Sequence, residues 1–197
     1  MTTVDERALV ARGIALERIT LGWNVAGIVV LAWAAVAARS IALAGFGLDS
    51  LIEIGASTVV LWELAETGAE RQQRALGLIG VAFVALAAYL AVQSTVALAT
   101  AHHAKHSLPG VVWTAVTAAV MFGLAAAKTS TGRALGNRVL ETEGRVTFVD
   151  GLLAAAVLVG LVLNAAFAAL WADPIAAYVI VLYAGREART LLVTDRS

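Results

Sequence analysis

The chain of 197 residues contains no cysteine, which excludes disulfide staples and thiolate metal sites. Charge is also scarce. Asp, Glu, Lys and Arg make up 14% of the sequence, against about a quarter in an ordinary soluble domain. The 14 basic and 14 acidic residues cancel, and neither a basic block nor an acidic tail stands out, so no nucleic-acid partner is expected. There is no glycine-rich phosphate loop, nucleophile–base signature or paired-histidine zinc-protease motif. The chain is therefore read as a non-enzyme without a resident cofactor. "MTTVDERALVARG" at the N-terminus lacks the basic start, short apolar run and cleavage site of a secretory leader.

What the sequence does have is apolar residues, 60% of the total, with a mean hydropathy of +0.85. The excess is Ala, Leu and Val, spread along the whole length. This predicts an all-α polytopic membrane protein. Six apolar segments lie at about 19–38, 41–62, 76–100, 110–127, 147–168 and 172–185. Most reach the roughly 20 residues that a helix needs to cross the hydrocarbon core. The last two are split by "LWADP", where Asp173 is an N-cap candidate and Pro174 suits a first helical turn. Six spans put both termini on one side. Twelve of the 14 Lys and Arg residues fall on that side, and only Arg39 and Lys105 on the other. The bias predicts cytoplasmic termini, with the 63–75 and 128–146 connections also cytoplasmic. The expected organisation is a cytoplasmic amphipathic lead-in over 1–18, a six-helix transmembrane domain over 19–190 and a short cytoplasmic tail over 191–197. The expected location is the inner (plasma) membrane.

Three carboxylates lie deep in these apolar segments: Asp49, Glu53 and Asp150. An ionised acid facing lipid at mid-bilayer costs about 2.5–3.5 kcal/mol, so all three are expected to face the bundle interior. Asp49 and Glu53 are four residues apart, about 40° and 6 Å from one another on a helix, and so share one stripe. Their titration is expected to be coupled. A divalent cation between them would relieve both burial and repulsion and release protons as it bound. That is the chemistry of a metal-for-proton exchanger.

"LDSLIEIGAS", followed by an apolar run, resembles the second transmembrane helix of the cation diffusion facilitator family. Asp49 and Glu53 take the two acidic positions of that family's pattern. "RVTFVDGLLAAAVLVGL" resembles its fifth helix, with Asp150 at the second ligand position and Val146 at the first, where no ligand is possible. Lys128 after "MFGLAAA" resembles the end of the fourth helix, and "WADPIAAYVI" the start of the sixth. The resemblance implies export of divalent metal, with Asp49, Glu53 and Asp150 as the metal ligands. Thr147 and Glu143 are weaker candidates for the place left by Val146, Glu143 as a vestibule residue about 10 Å toward the cytoplasm. Zinc is the substrate the family implies. An all-oxygen ligand set also suits manganese or iron. The resemblance further implies a homodimer, here held by membrane helices, since no cytoplasmic C-terminal domain is expected. Two alternatives stand beside this: a proton-coupled transporter of another cation, and a non-transporting scaffold or sensor.

The remaining polar residues have simpler expectations. His102, His103 and His106 are expected in a solvated outer loop, and Glu63, Glu66 and Glu70 on a solvated cytoplasmic face. Asn24, Gln93 and Asn164 are expected to hydrogen-bond between helices. Trp23, Trp62, Trp113 and Trp171 fall near span ends, as interfacial anchors do.

Overall fold

The computed structural model describes residues 3–38, 41–65, 68–100, 107–167, 181–182, 185–186 and 188–190. These residues are helical apart from short connections, with no strand among them. Five helices follow in order: α1 (Thr3–Ala38), α2 (Ile41–Ala65), α3 (Ala69–Thr100), α4 (Leu108–Leu135) and α5 (Arg138–Phe167). The expected sixth span with Asp173 and Pro174, the histidines 102, 103 and 106, Glu66, Trp171, Arg39, Lys105 and the 191–197 tail lie outside or almost wholly outside the described residues.

Four of the five helices are long and apolar enough to cross a membrane: α1, α3, α4 and α5. At 25 residues α2 is about 37 Å long, which is also sufficient. It carries Asp49, Glu53 and Glu63, however, and that charge load sets it apart from the others. The lead-in expected over 1–18 is helical from Thr3 onward and runs without a break into the first span. Together they form one 36-residue helix about 54 Å long.

The packing follows from heptad-like stripes. On α1 the buried positions include 13, 17, 20, 24, 27, 31, 34 and 38, spaced alternately by four and three. On α4 they include 110, 114, 117, 121, 124, 128 and 131. Such spacing keeps one face of each helix turned inward over its full length. The opposite face of α1 exposes Ile19, Val25, Val29, Trp33 and Val36, an apolar surface of the kind that lies against lipid. Helix α5 is the most enclosed, packing against α4, α2 and α3.

The 128–146 connection is not a loop. Helix α4 continues to Leu135, and α5 begins at Arg138. Between them Gly136 adopts the left-handed conformation at φ 65°. Its N–H bonds the Arg133 carbonyl at 3.2 Å, and the Asn137 N–H bonds the Gly132 carbonyl at 2.9 Å. Only glycine takes this cap without a side-chain penalty. At its other end α4 is capped by Ser107, whose Oγ accepts from the Gly110 N–H at 3.1 Å.

Two glycines let α4 and α5 meet backbone to backbone. A methyl group on Gly132 would stand 2.6 Å from the Glu141 backbone nitrogen, and one on Gly144 would stand 2.9 Å from that of Thr129. Neither neighbour is a flexible side-chain tip. Gly132→Ala and Gly144→Ala are therefore each expected to destabilise the protein by about 1–3 kcal/mol, as overpacking does. Gly123→Ala, in open space on α4, is the control. Thermal unfolding in detergent checks this, and equal midpoints for all three variants would refute it.

Candidate ion pathway between the second and fifth helices

Helices α2 and α5 run antiparallel, and polar side chains pair across their seam. Asn137 Nδ2 donates to both Glu63 oxygens, at 2.9 and 3.2 Å. Ser57 Oγ donates to Glu143 Oε1 at 3.3 Å. Thr147 Oγ1 donates to Glu53 Oε1 at 2.7 Å. The Asp49 and Asp150 carboxyl groups lie within hydrogen-bonding reach of one another. Each step down α2, from 63 to 57, 53 and 49, is matched by a near-equal step up α5, from 137 to 143, 147 and 150. The result is a polar ladder of four rungs, about 21 Å from end to end along α2. All eight of these residues are buried.

Two further helices reach the middle of the ladder. From α4, Lys128 Nζ donates to Glu143 Oε1 at 2.7 Å, with Oε2 of the same carboxylate in ion-pair contact at 2.6 Å. It also donates to Glu17 Oε2 of α1 at 3.0 Å and to Thr147 Oγ1 at 3.1 Å. The three protons of the ammonium thus have three partners. Thr147 has one proton to give, and the short bond to Glu53 takes it. Its oxygen still accepts from Lys128, which links the ammonium to Glu53 through one hydroxyl. The side chains of Lys128, Glu17 and Glu143 are fully buried. This region therefore holds five buried carboxyl groups (Glu17, Asp49, Glu53, Glu143 and Asp150) and one buried ammonium. Ionised acids in excess of the single lysine need protons or cations to offset them.

The far rung differs from the rest. Neither oxygen of Asp150 receives a hydrogen bond from a conventional donor, and nor does Asp49 Oδ2. Two buried carboxyl groups this close cannot both stay ionised without a proton or a cation to offset them. Tyr89 of α3 stands near Asp49, its buried hydroxyl without a hydrogen-bond partner among the described residues. At the opposite end of the ladder a cavity of about 360 Å³ opens beside Glu63 and Asn137, with Glu6 and Gln72 on its rim.

All five residues singled out as candidate ligands lie on this ladder, but not as a single shell. Asp49 and Asp150 meet. Glu53 turns to Thr147, and Glu143 turns to Lys128. Among the described residues no three His, Asp or Glu side chains converge as a metal shell requires. Glu143 does not stand in an open vestibule; it is completely buried against Lys128. Val146 belongs to the apolar core, and the next residue, Thr147, occupies the rung opposite Glu53.

Several other expectations change. Lys128, counted among the cytoplasmic cations, is the buried centre of the cluster. Glu63 is not solvated but buried against Asn137, whereas Glu70 is exposed and pairs with Arg74 at 2.6 Å. Asn24 bonds the Thr20 carbonyl of its own helix at 3.0 Å instead of crossing to another. Trp23 and Trp113 stack on each other with centroids 5.0 Å apart, and Trp23 Nε1 donates to Thr117 Oγ1 at 3.2 Å. They fasten α1 to α4. Trp62 lies under the Arg71 guanidinium, 4.4 Å from its ring centre. Asn164's side chain lies outside the described residues.

Asn137 has two tasks, because its Oδ1 also accepts the Leu140 N–H at 2.9 Å and caps α5. Asn137→Ala removes the cap and leaves Glu63 buried without its donor. The expected loss is about 2–4 kcal/mol, the sum of a cap and an unsatisfied buried acceptor. Asn137→Asp keeps the cap acceptor but sets a second carboxylate against Glu63. Its unfolding midpoint is expected to recover on acidification, while that of the alanine variant is not. A common pH response in both variants would show that the Glu63 contact contributes nothing.

Among the described residues, fold and seam together define an all-helical protein, four of whose helices suit a membrane, with a ladder of polar and charged side chains buried between α2 and α5. No protein-family model and no curated protein matches the chain.

Proposed function

We propose that this protein is a secondary transporter that moves a cation across a membrane in exchange for protons. The observation that carries the reading is the Asp49–Asp150 pair: two buried carboxyl groups from different helices, in contact, with three of their four oxygens lacking a conventional donor. Such a pair holds one proton well and two negative charges badly. A cation that displaces the shared proton would find two oxygen ligands already in place. Glu53, one turn from Asp49, would join when Thr147 releases it. Each helix moves as a unit, so a small shift of α2 along α5 would re-pair the rungs and change the side to which the carboxylates open.

The cargo that these oxygen ligands and the motif resemblance favour is a divalent metal ion: zinc, manganese or iron. In this reading the chain is a cation diffusion facilitator-like exporter with six spans. Its termini lie in the cytoplasm, it works in the plasma membrane, and it pairs with a second copy through its membrane helices. A second reading, proton-coupled transport of an organic ammonium ion, is favoured by one observation. The chain seats its own primary ammonium, Lys128, among buried carboxylates.

Proteoliposomes loaded with a pH-sensitive dye test both. A gradient of zinc, manganese or iron is expected to drive proton movement that empty liposomes do not show. A response to alkylammonium ions alone would select the second reading, and no response to either class would reject exchange.

A further inference from the structure

We propose that Glu17, Glu143 and Thr147 form a second cation site, one that accepts primary ammonium ions and that the chain fills with its own Lys128. The cage comes from three elements. Glu17 stands on α1, Glu143 and Thr147 stand one turn apart on α5, and Lys128 enters from α4. Its oxygens accept from Nζ at 2.7 to 3.1 Å, the distances at which an ammonium ion satisfies its protons. Glu17 Oε1 is buried and has no hydrogen-bond partner, so the cage holds more acceptor capacity than the lysine uses. The two carboxyl groups also lie within reach of each other, which demands a cation or a proton between them.

The position of the cage gives it a role. A cation moving from the cavity beside Glu63 toward Glu53 and the Asp49–Asp150 pair must pass the Ser57–Glu143 rung. Lys128 sits on that rung. Resting on the exchange reading, Lys128 is a tethered competitor. It holds the pathway closed to cations and leaves open a hydrogen-bonded route for protons through Thr147.

Lys128→Ala tests the cage without any transport measurement. The variant is purified with methylammonium present throughout and then examined by thermal unfolding in detergent. Saturating methylammonium is expected to raise its midpoint by roughly 5 °C. Tetramethylammonium, which has no N–H to donate, is expected to leave it unchanged. In Lys128→Ala/Glu143→Gln the cage has lost an anion, and methylammonium is expected to have no effect. Equal stabilisation of both variants, or of neither, would overturn the inference. So would failure to recover Lys128→Ala even with methylammonium present, since the cage would then accept no free ammonium. The shift needs no flux, so a failed cage leaves the exchange reading standing, and failed exchange leaves the cage standing.

Discussion

Asp150→Asn is expected to reduce cation-driven proton flux to the level of protein-free liposomes while leaving the fold intact. The two halves of that expectation have different physical origins. Asparagine has nearly the shape of aspartate, and neither Asp150 oxygen accepts a bond from a conventional donor that the amide would lose. What disappears is the charge. Buried charge is costly, so its removal is expected to leave the unfolding midpoint unchanged or raise it. Exchange nevertheless fails, because an amide neither holds the shared proton nor ligates a cation with a full negative charge. Asp49→Asn is expected to behave the same way, since the pair works as a unit. Glu70→Gln is the matched control: it removes a carboxylate whose ion pair with Arg74 is exposed and contributes little. Normal flux in both aspartate variants would show that the pair is a structural contact and not the exchange site.

How much of this was legible in the sequence depends on which periodicity was followed. Hydropathy identified the five described helices, and the i, i+4 spacing of Asp49 and Glu53 correctly placed both on the buried face of α2. It could not reveal that Asp49 and Glu53 would choose different partners. That depends on the register of α2 against α5, which no spacing within a single helix encodes. Lys128 was misplaced for a related reason, and Glu17 was not singled out at all. Each lies beside a predicted span end, where charge counting treats it as solvated. The heptad pattern was the signal that could have corrected this. Glu17 stands seven residues before Asn24 and fourteen before Leu31, and Lys128 stands seven after Met121 and fourteen after Thr114. Residues at that spacing share a face with the core. A charge on the inward stripe near the end of one helix calls for an opposite charge on the stripe of another, and here the two found each other. Val146 misled in the opposite direction. The expected ligand position was four residues before Asp150, but α5 turns its residue three before Asp150, Thr147, toward Glu53.

The central ion cluster carries the second large expected effect, and its sign depends on how the cluster is dismantled. Lys128→Met leaves Glu17 and Glu143 buried without their cation. Breaking a buried pair from one side costs about 3–5 kcal/mol. Glu143→Gln alone leaves Lys128 with Glu17 and Thr147 as partners, so its cost is expected to be smaller. Lys128→Met/Glu143→Gln removes one charge of each sign. Replacing a buried ion pair by groups of similar volume is often neutral or stabilising, because the desolvation penalty disappears with the attraction. The double variant is therefore expected to be more stable than Lys128→Met alone. Denaturant or thermal unfolding of the four proteins in detergent completes the cycle, with a coupling of about 3 kcal/mol expected between the two sites. Additive losses would mean that Lys128 and Glu143 contribute through packing alone. If coupling is large and the double variant remains folded, the ions are not what holds α1, α4 and α5 together. A charge cluster that the fold can do without is then left for another reason, and the ladder of carboxyl groups on either side of it supplies one.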